Sequence, residues 1–174
     1  MPDFFRYNPR VLSPLGQAPA AAAVCTAVSN SSYFVYVGPA PYTFTTCNIL
    51  AKVTTLVATI TWAEIGVFTG TFVGNSAAIL TRVGFTDVSA IYNTTGIKRT
   101  AVTTTGILPG DDLWIAYGSQ ATTPFVLRGN VADDTQCGVF QSKAATRIST
   151  VAASTSMGVE AAASISAQIR LELP

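Results

Sequence analysis

From Tyr33 to about Ser142 the apolar positions come in short bursts that alternate with polar ones or run solid for a few residues. The bursts YFVYV, NILAKVT, VATITWAEIGVF, LTRVGFTDV, GIKRTAVTT, DDLWIAYG, FVLRGN and CGVFQS are rich in β-branched and aromatic residues, and Gly, Pro, Asn or Asp separates them. No segment in this region keeps apolar residues at i, i+3, i+4 and i+7 over three turns, so helices are not expected. Eight short strands at intervals of about 10 to 15 residues predict an all-β, antiparallel sandwich of jelly-roll-like type.

The segment around Trp62 shows how such a sheet uses its residues. Alternation places Ala58, Ile60, Trp62, Glu64 and Phe68 on one side, and Thr59, Thr61, Ala63, Ile65 and Val67 on the other. Both sides are half apolar, which predicts a central strand. Glu64 on the Trp62 side then needs a cation, and Arg82, Lys98, Arg99 and Arg128 are the candidates. Near the C-terminus, AQIRLEL alternates Ile169 and Leu171 with Arg170 and Glu172, predicting a strand over Ala167 to Leu173 that closes a sheet edge. The Ala- and Ser-rich stretch 150–166 before it has weak helical propensity without an apolar stripe.

Residues 1–30 have another character. Pro2, Pro9, Pro14 and Pro19 prevent regular helix or central strand and favour extended chain. This predicts an N-terminal arm over 1–30 and a single sandwich domain over 31–174. Phe4, Phe5 and Tyr7 are too apolar for a solvated tail, so the arm is expected to lie on its own domain or on a neighbouring subunit, with Phe4, Phe5, Arg6, Tyr7 and Arg10 as its partner-binding residues.

Composition sharpens this picture. The chain has 174 residues, enough for one domain with a real core; 49% are hydrophobic and only 11% charged, against about 25% charged in an average domain. The apolar surplus is not a membrane span. The run Leu56 to Gly70 is broken by threonines and by Glu64, and no stretch of the ~20 apolar residues needed to cross a bilayer occurs. A net charge of +1, with Lys98 and Arg99 as the tightest basic group, gives no expectation of direct nucleic-acid binding. The N-terminal MPDFFRYNPR lacks the pattern of a secretion signal, so the acceptor-like triplets at Asn30 and Asn93 are read as accidental. Cys25, Cys47 and Cys137 are widely spaced and odd in number; they read as thiols, with pairing of any two left open.

Histidine is absent, which removes the commonest general base, the Ser-His and Cys-His pairs and the usual zinc ligands. The pairs Asp111-Asp112 and Asp133-Asp134 lack EF-hand spacing or a third nearby acid. In LPGDDLWIAYG, Pro109-Gly110 instead predicts a type II turn with the acids at the strand entrance. Phosphate-binding glycine loops cannot be matched. No catalytic residue, cofactor or metal is therefore expected. Tyr33, Phe34, Tyr36 and Tyr42 are the residues from which a sugar-binding platform would be built.

The TWAEIGVFTG strand, the segment GIKRTAVTTTGILPGDDLWIAYGSQATTPFVLRG and the GVFQS strand resemble β-sandwich structural proteins of tailed-bacteriophage particles. Those proteins carry a TG…L..GD.LW.A turn-and-strand unit followed by a short F.LRG strand. The G-D turn before an L-W-I-A strand is also similar to trimeric jelly-roll modules of the C1q and tumour-necrosis-factor type. The resemblance spans Tyr33 to Ser142 and implies a non-enzymatic virion component with no catalytic residues to carry over. A capsid decoration protein comes first, a receptor- or carbohydrate-binding fibre module second, and a self-assembling small-virus coat third. The implied partners are further copies of the chain, as a trimer, and a major capsid or other virion protein.

Overall fold

The computed structural model describes residues 11–12, 24–26, 31–55, 59–73, 77–121, 126–131, 139–141, 147–151, 155–159, 165–167 and 169–174. Among them run β1 (Val11–Leu12), β2 (Val24–Thr26), β3 (Ser31–Pro39), β4 (Thr46–Thr55), β5 (Ile60–Val73), β6 (Ala77–Asp87) and β7 (Gly96–Thr103). Then follow β8 (Asp112–Ala121), β9 (Val126–Val131), β10 (Val139–Gln141), a 3-10 turn (Ile148–Thr150), β11 (Thr155–Val159), β12 (Ile165–Ala167) and β13 (Ile169–Glu172). All eight strands expected from the apolar pattern are present, as β3 to β10, and no α-helix occurs among the described residues.

Four antiparallel pairs nest one inside the next along the chain: β1 with β13, β3 with β8, β4 with β7, and β5 with β6. Ladders between β13 and β4 and between β8 and β5 then join them into two sheets, β1-β13-β4-β7 and β3-β8-β5-β6. The protein is thus an all-β, antiparallel sandwich. Its core lies between the sheets, where Ile49, Ala51, Ile169 and Leu171 belong to one buried cluster with Val35, Ile65, Val67, Ile115 and Tyr117. Tyr33 and Tyr117 stack within it at 5.3 Å between ring centroids.

The chain between β8 and β13 modifies both sheets. β13 pairs with Asn48 to Ala51 of β4, and β9 takes over at Val53 and Thr55, carrying β2 and β12 with it. β10 and β11 fold over the outer face of the other sheet. Because β10 pairs with β3 and β11 with β6, that sheet closes into a barrel ordered β10-β11-β6-β5-β8-β3. The barrel interior is a second core of Phe34, Phe68, Ala78, Leu80, Trp114, Ala116, Ile148 and Val151. This explains why Trp62 to Phe68 and Leu113 to Ser119 are buried without a break: one side of each strand faces the sandwich and the other faces the barrel.

Three sequence expectations change in detail. The C-terminal strand does not end the sheet, since β1 adds two residues beyond β13. Its expected start at Ala167 falls in β12, a separate strand paired with β9. The 150–166 stretch holds β11 and the start of β12; ladder pairing to β6 and β9 overrides its weak helical propensity. Within 1–30, β1 and β2 pair with β13 and β9, so these two pieces lie on the domain's own sheet.

Candidate functional site

The one buried carboxylate among the described residues is Glu64, placed by β5 inside the barrel wall beside Trp62 and Gly66. Its partner is none of the four expected cations but Arg147, whose Nε donates to Oε1 at 2.8 Å and whose guanidinium completes an ion pair at 2.6 Å. Ser149 adds its backbone N–H to Oε2 at 2.8 Å and its hydroxyl to Oε1 at 2.9 Å. Four donors therefore meet two oxygens, which satisfies a charge that burial would otherwise penalise. Arg82, expected at Glu64, instead donates to the carbonyls of Ile148 and Ser149. Lys98 reaches Thr94, Arg99 pairs with Glu172, and the Arg128 side chain lies outside the described residues. Sequence reasoning missed Arg147 because 83 positions separate it from Glu64 and only the closed barrel brings them together.

The same cluster fixes the 3-10 turn. Ile148 and Val151 fill the barrel, and Gly66 leaves them room: a Cβ there would lie 2.9 Å from Ile148 Cγ2 and 2.9 Å from the Gly84 carbonyl. The Arg147 guanidinium also sits 5.6 Å from the Trp62 ring, and Trp62 Nε1 donates to Gln120 at 3.0 Å. Nearby, burial pushes the Asp87 carboxyl up, but the Ser89 hydroxyl and N–H and the Arg147 charge outweigh it and leave its pKa lowered. The arrangement tethers the inserted segment to the sheet.

Asp111 and Asp112 prove to be turn and strand-entrance residues. Gly110 has φ +91°, the left-handed value that glycine tolerates at the third position of a type II turn, and Asp111 N–H donates to the Leu108 carbonyl at 3.1 Å. Asp111 Oδ2 in turn accepts the Leu108 N–H at 2.7 Å. Asp112 Oδ1 accepts the Tyr36 hydroxyl at 2.7 Å; burial first, then this bond and the aspartate charge, push the Tyr36 phenol up to about 12. No group of three or more potential metal ligands occurs among the described residues. Asp133, Asp134 and the proposed arm residues Phe4, Phe5, Arg6, Tyr7 and Arg10 lie outside them.

The four aromatic residues considered for sugar binding do not share a surface. Tyr33 is in the sandwich core with Tyr42 at its margin, whereas Phe34 is in the barrel core with Tyr36 at its margin. Tyr36 instead packs edge-on against Phe72 and tilted against Trp114, at 5.1 and 5.2 Å between centroids. Cys47 is buried and free, and burial pushes its thiol up to about 12. The side chains of Cys25 and Cys137 are outside the described residues.

What the surface offers is apolar. From Ile65 to Thr81 the sequence has no charge, and β5 outruns its partner β8 at Thr69, so that Gly70 to Val73 continue paired with β6 alone. At this end Phe72 is 42% exposed, Val73 49% and Ile79 47%. No protein family model, curated protein or solved structure matches the chain. The fold and the surface define its class: an all-β sandwich with an apolar, uncharged hairpin end.

Proposed function

We propose that the protein is a structural subunit of a virus particle, of the capsid decoration type, that associates with copies of itself and with another virion protein. The observation that carries this reading is the exposed β5–β6 end, where the register makes Val73 and Ile79 diagonal neighbours on one face of a stretch without charge, with Phe72 half-exposed on the other face. Soluble monomers scatter single apolar residues over the surface, whereas contiguous ones mark contact with a partner. The nested pairing of β1 with β13, β3 with β8, β4 with β7 and β5 with β6 favours a jelly-roll-like arrangement of the sandwich, and on that reading it supports the resemblance of the central segment to phage β-sandwich proteins.

The reading makes the function mechanical. The domain covers or projects from a particle surface, and the N-terminal arm, with Phe4, Phe5, Arg6, Tyr7 and Arg10, anchors it. Light scattering of the purified chain tests self-association, with a trimer expected; a monomer across the micromolar range would sink that part. Binding to particles that lack this chain tests the rest. Deleting residues 1–10, which removes the five arm residues and spares β1, should weaken binding, and unchanged affinity would remove the arm from the mechanism.

A further inference from the structure

The sheet β1-β13-β4-β7 buries one face in the sandwich and turns the other outward. Cys47, Ile49, Ala51 and Val53 of β4 are buried, so alternation puts Asn48, Leu50 and Lys52 outside. The register then builds a pattern no linear reading contains. Leu50 is paired with Arg99 of β7 on one flank and with Arg170 of β13 on the other, setting the two arginine α-carbons about 10 Å apart across three strands. On the next rung Lys52 faces Ile97, which is 76% exposed, and on the rung before it Asn48 lies between Ala101 and Glu172. Glu172 accepts Arg99 Nε at 2.6 Å. Lys52 and Arg170, both exposed, have no ion pair among the described residues.

We propose that this outward face of β13-β4-β7 docks an acidic protein surface, with Lys52 and Arg170 meeting its carboxylates and Leu50, Ile97 and Ala101 meeting its apolar atoms. Three cations against one carboxylate leave the face positive, which selects for a negative partner. Arginine beside aliphatic side chains is the composition of protein interfaces, whereas a phosphate backbone would leave Leu50 and Ile97 unused. A second copy of the chain is a poorer complement. Its described carboxylates are already engaged: Glu64 by Arg147 and Ser149, Asp87 by Ser89, Asp111 by Leu108, Asp112 by Tyr36 and Glu172 by Arg99. The inference deepens the assembly reading and rests on it for the partner's place in a particle.

The test compares the full chain with a Lys52→Glu/Arg170→Glu variant and with Glu172→Gln. Immobilised poly-L-glutamate and duplex DNA serve as probes, and particles lacking the chain as a third arm. The double variant should bind poly-L-glutamate about tenfold more weakly at unchanged melting temperature, and Glu172→Gln, which frees Arg99, about twofold more tightly. Wild-type binding should fall between about 50 and 200 mM salt. Equal binding of poly-L-glutamate by all three proteins overturns the proposal, and so does tighter binding of DNA than of poly-L-glutamate by the wild type. Particles that take up wild type but not the double variant support both readings. Particles that take up both alike overturn the docking face and leave the assembly reading standing. Particles that take up neither overturn the assembly reading, and the poly-L-glutamate series then decides the face.

Discussion

Replacing Arg147 by methionine tests whether the closed barrel depends on its buried charge. Glu64 has no exposed surface, whereas the Arg147 side chain is 41% exposed, so the two partners are not equivalent. Without Arg147 the carboxylate stays inside with only the Ser149 N–H and hydroxyl as donors. Removing one member of a buried pair costs about 3–5 kcal/mol, and because half the hydrogen bonds remain the lower end applies, about 3 kcal/mol. For a domain of this size that is a fall in melting temperature of about 6–12 °C. The double variant Glu64→Met/Arg147→Met buries no charge and leaves only the Ser149 donors unanswered, at about 1–2 kcal/mol, so it should be more stable than Arg147→Met alone. Urea unfolding followed by circular dichroism, with the slope unchanged, measures both. A loss below about 1 kcal/mol for Arg147→Met, or a double variant that is the less stable of the two, would refute the reasoning.

Three further outcomes follow from the same geometry. Gly66→Ala should destabilise by about 2 kcal/mol, because its methyl meets Ile148 and the Gly84 carbonyl; the same substitution at Gly106, where nothing lies within 4 Å, creates no clash and costs only the backbone strain of its φ of +74°, so the pair separates overpacking from strain. Native Cys47 should resist iodoacetamide at pH 8 and react fully in guanidinium chloride, as peptide mass spectrometry would read; ready labelling in the folded protein would contradict its burial. Asp87→Asn should flatten the acid limb of stability. Its lowered pKa contributes stability that is present above the unfolded value of 3.8 and lost as pH falls through the folded value, so melting temperatures of wild type and variant should converge below that point.

Much of the fold is written in local sequence. The bursts from Tyr33 to Ser142 became β3 to β10 because β-branched and aromatic side chains suit a pleated, buried surface, and the turn at Leu108 to Asp111 formed because Gly110 accepts φ +91°. The two apolar faces around Trp62 announced a strand covered on both sides. The chain's poverty in charge was likewise visible at once.

Partners across the fold were not. Glu64 demanded a cation, but four arginines and lysines nearer in sequence were equally eligible, and only β10 and β11 closing over the sheet brought Arg147 to it. Arg99, Leu50 and Arg170 form one row solely because β4 pairs in register with β7 on one flank and with β13 on the other. Alternation fixes which side of its own strand a residue occupies; it carries no information about which strand lies alongside or where the rungs align. The sequence by itself therefore determined strands, turns and buried faces, which depend on neighbours one to four residues away. The tertiary structure decided the tether inside the barrel and the cationic outer face, which depend on registers set by the packing of the whole chain.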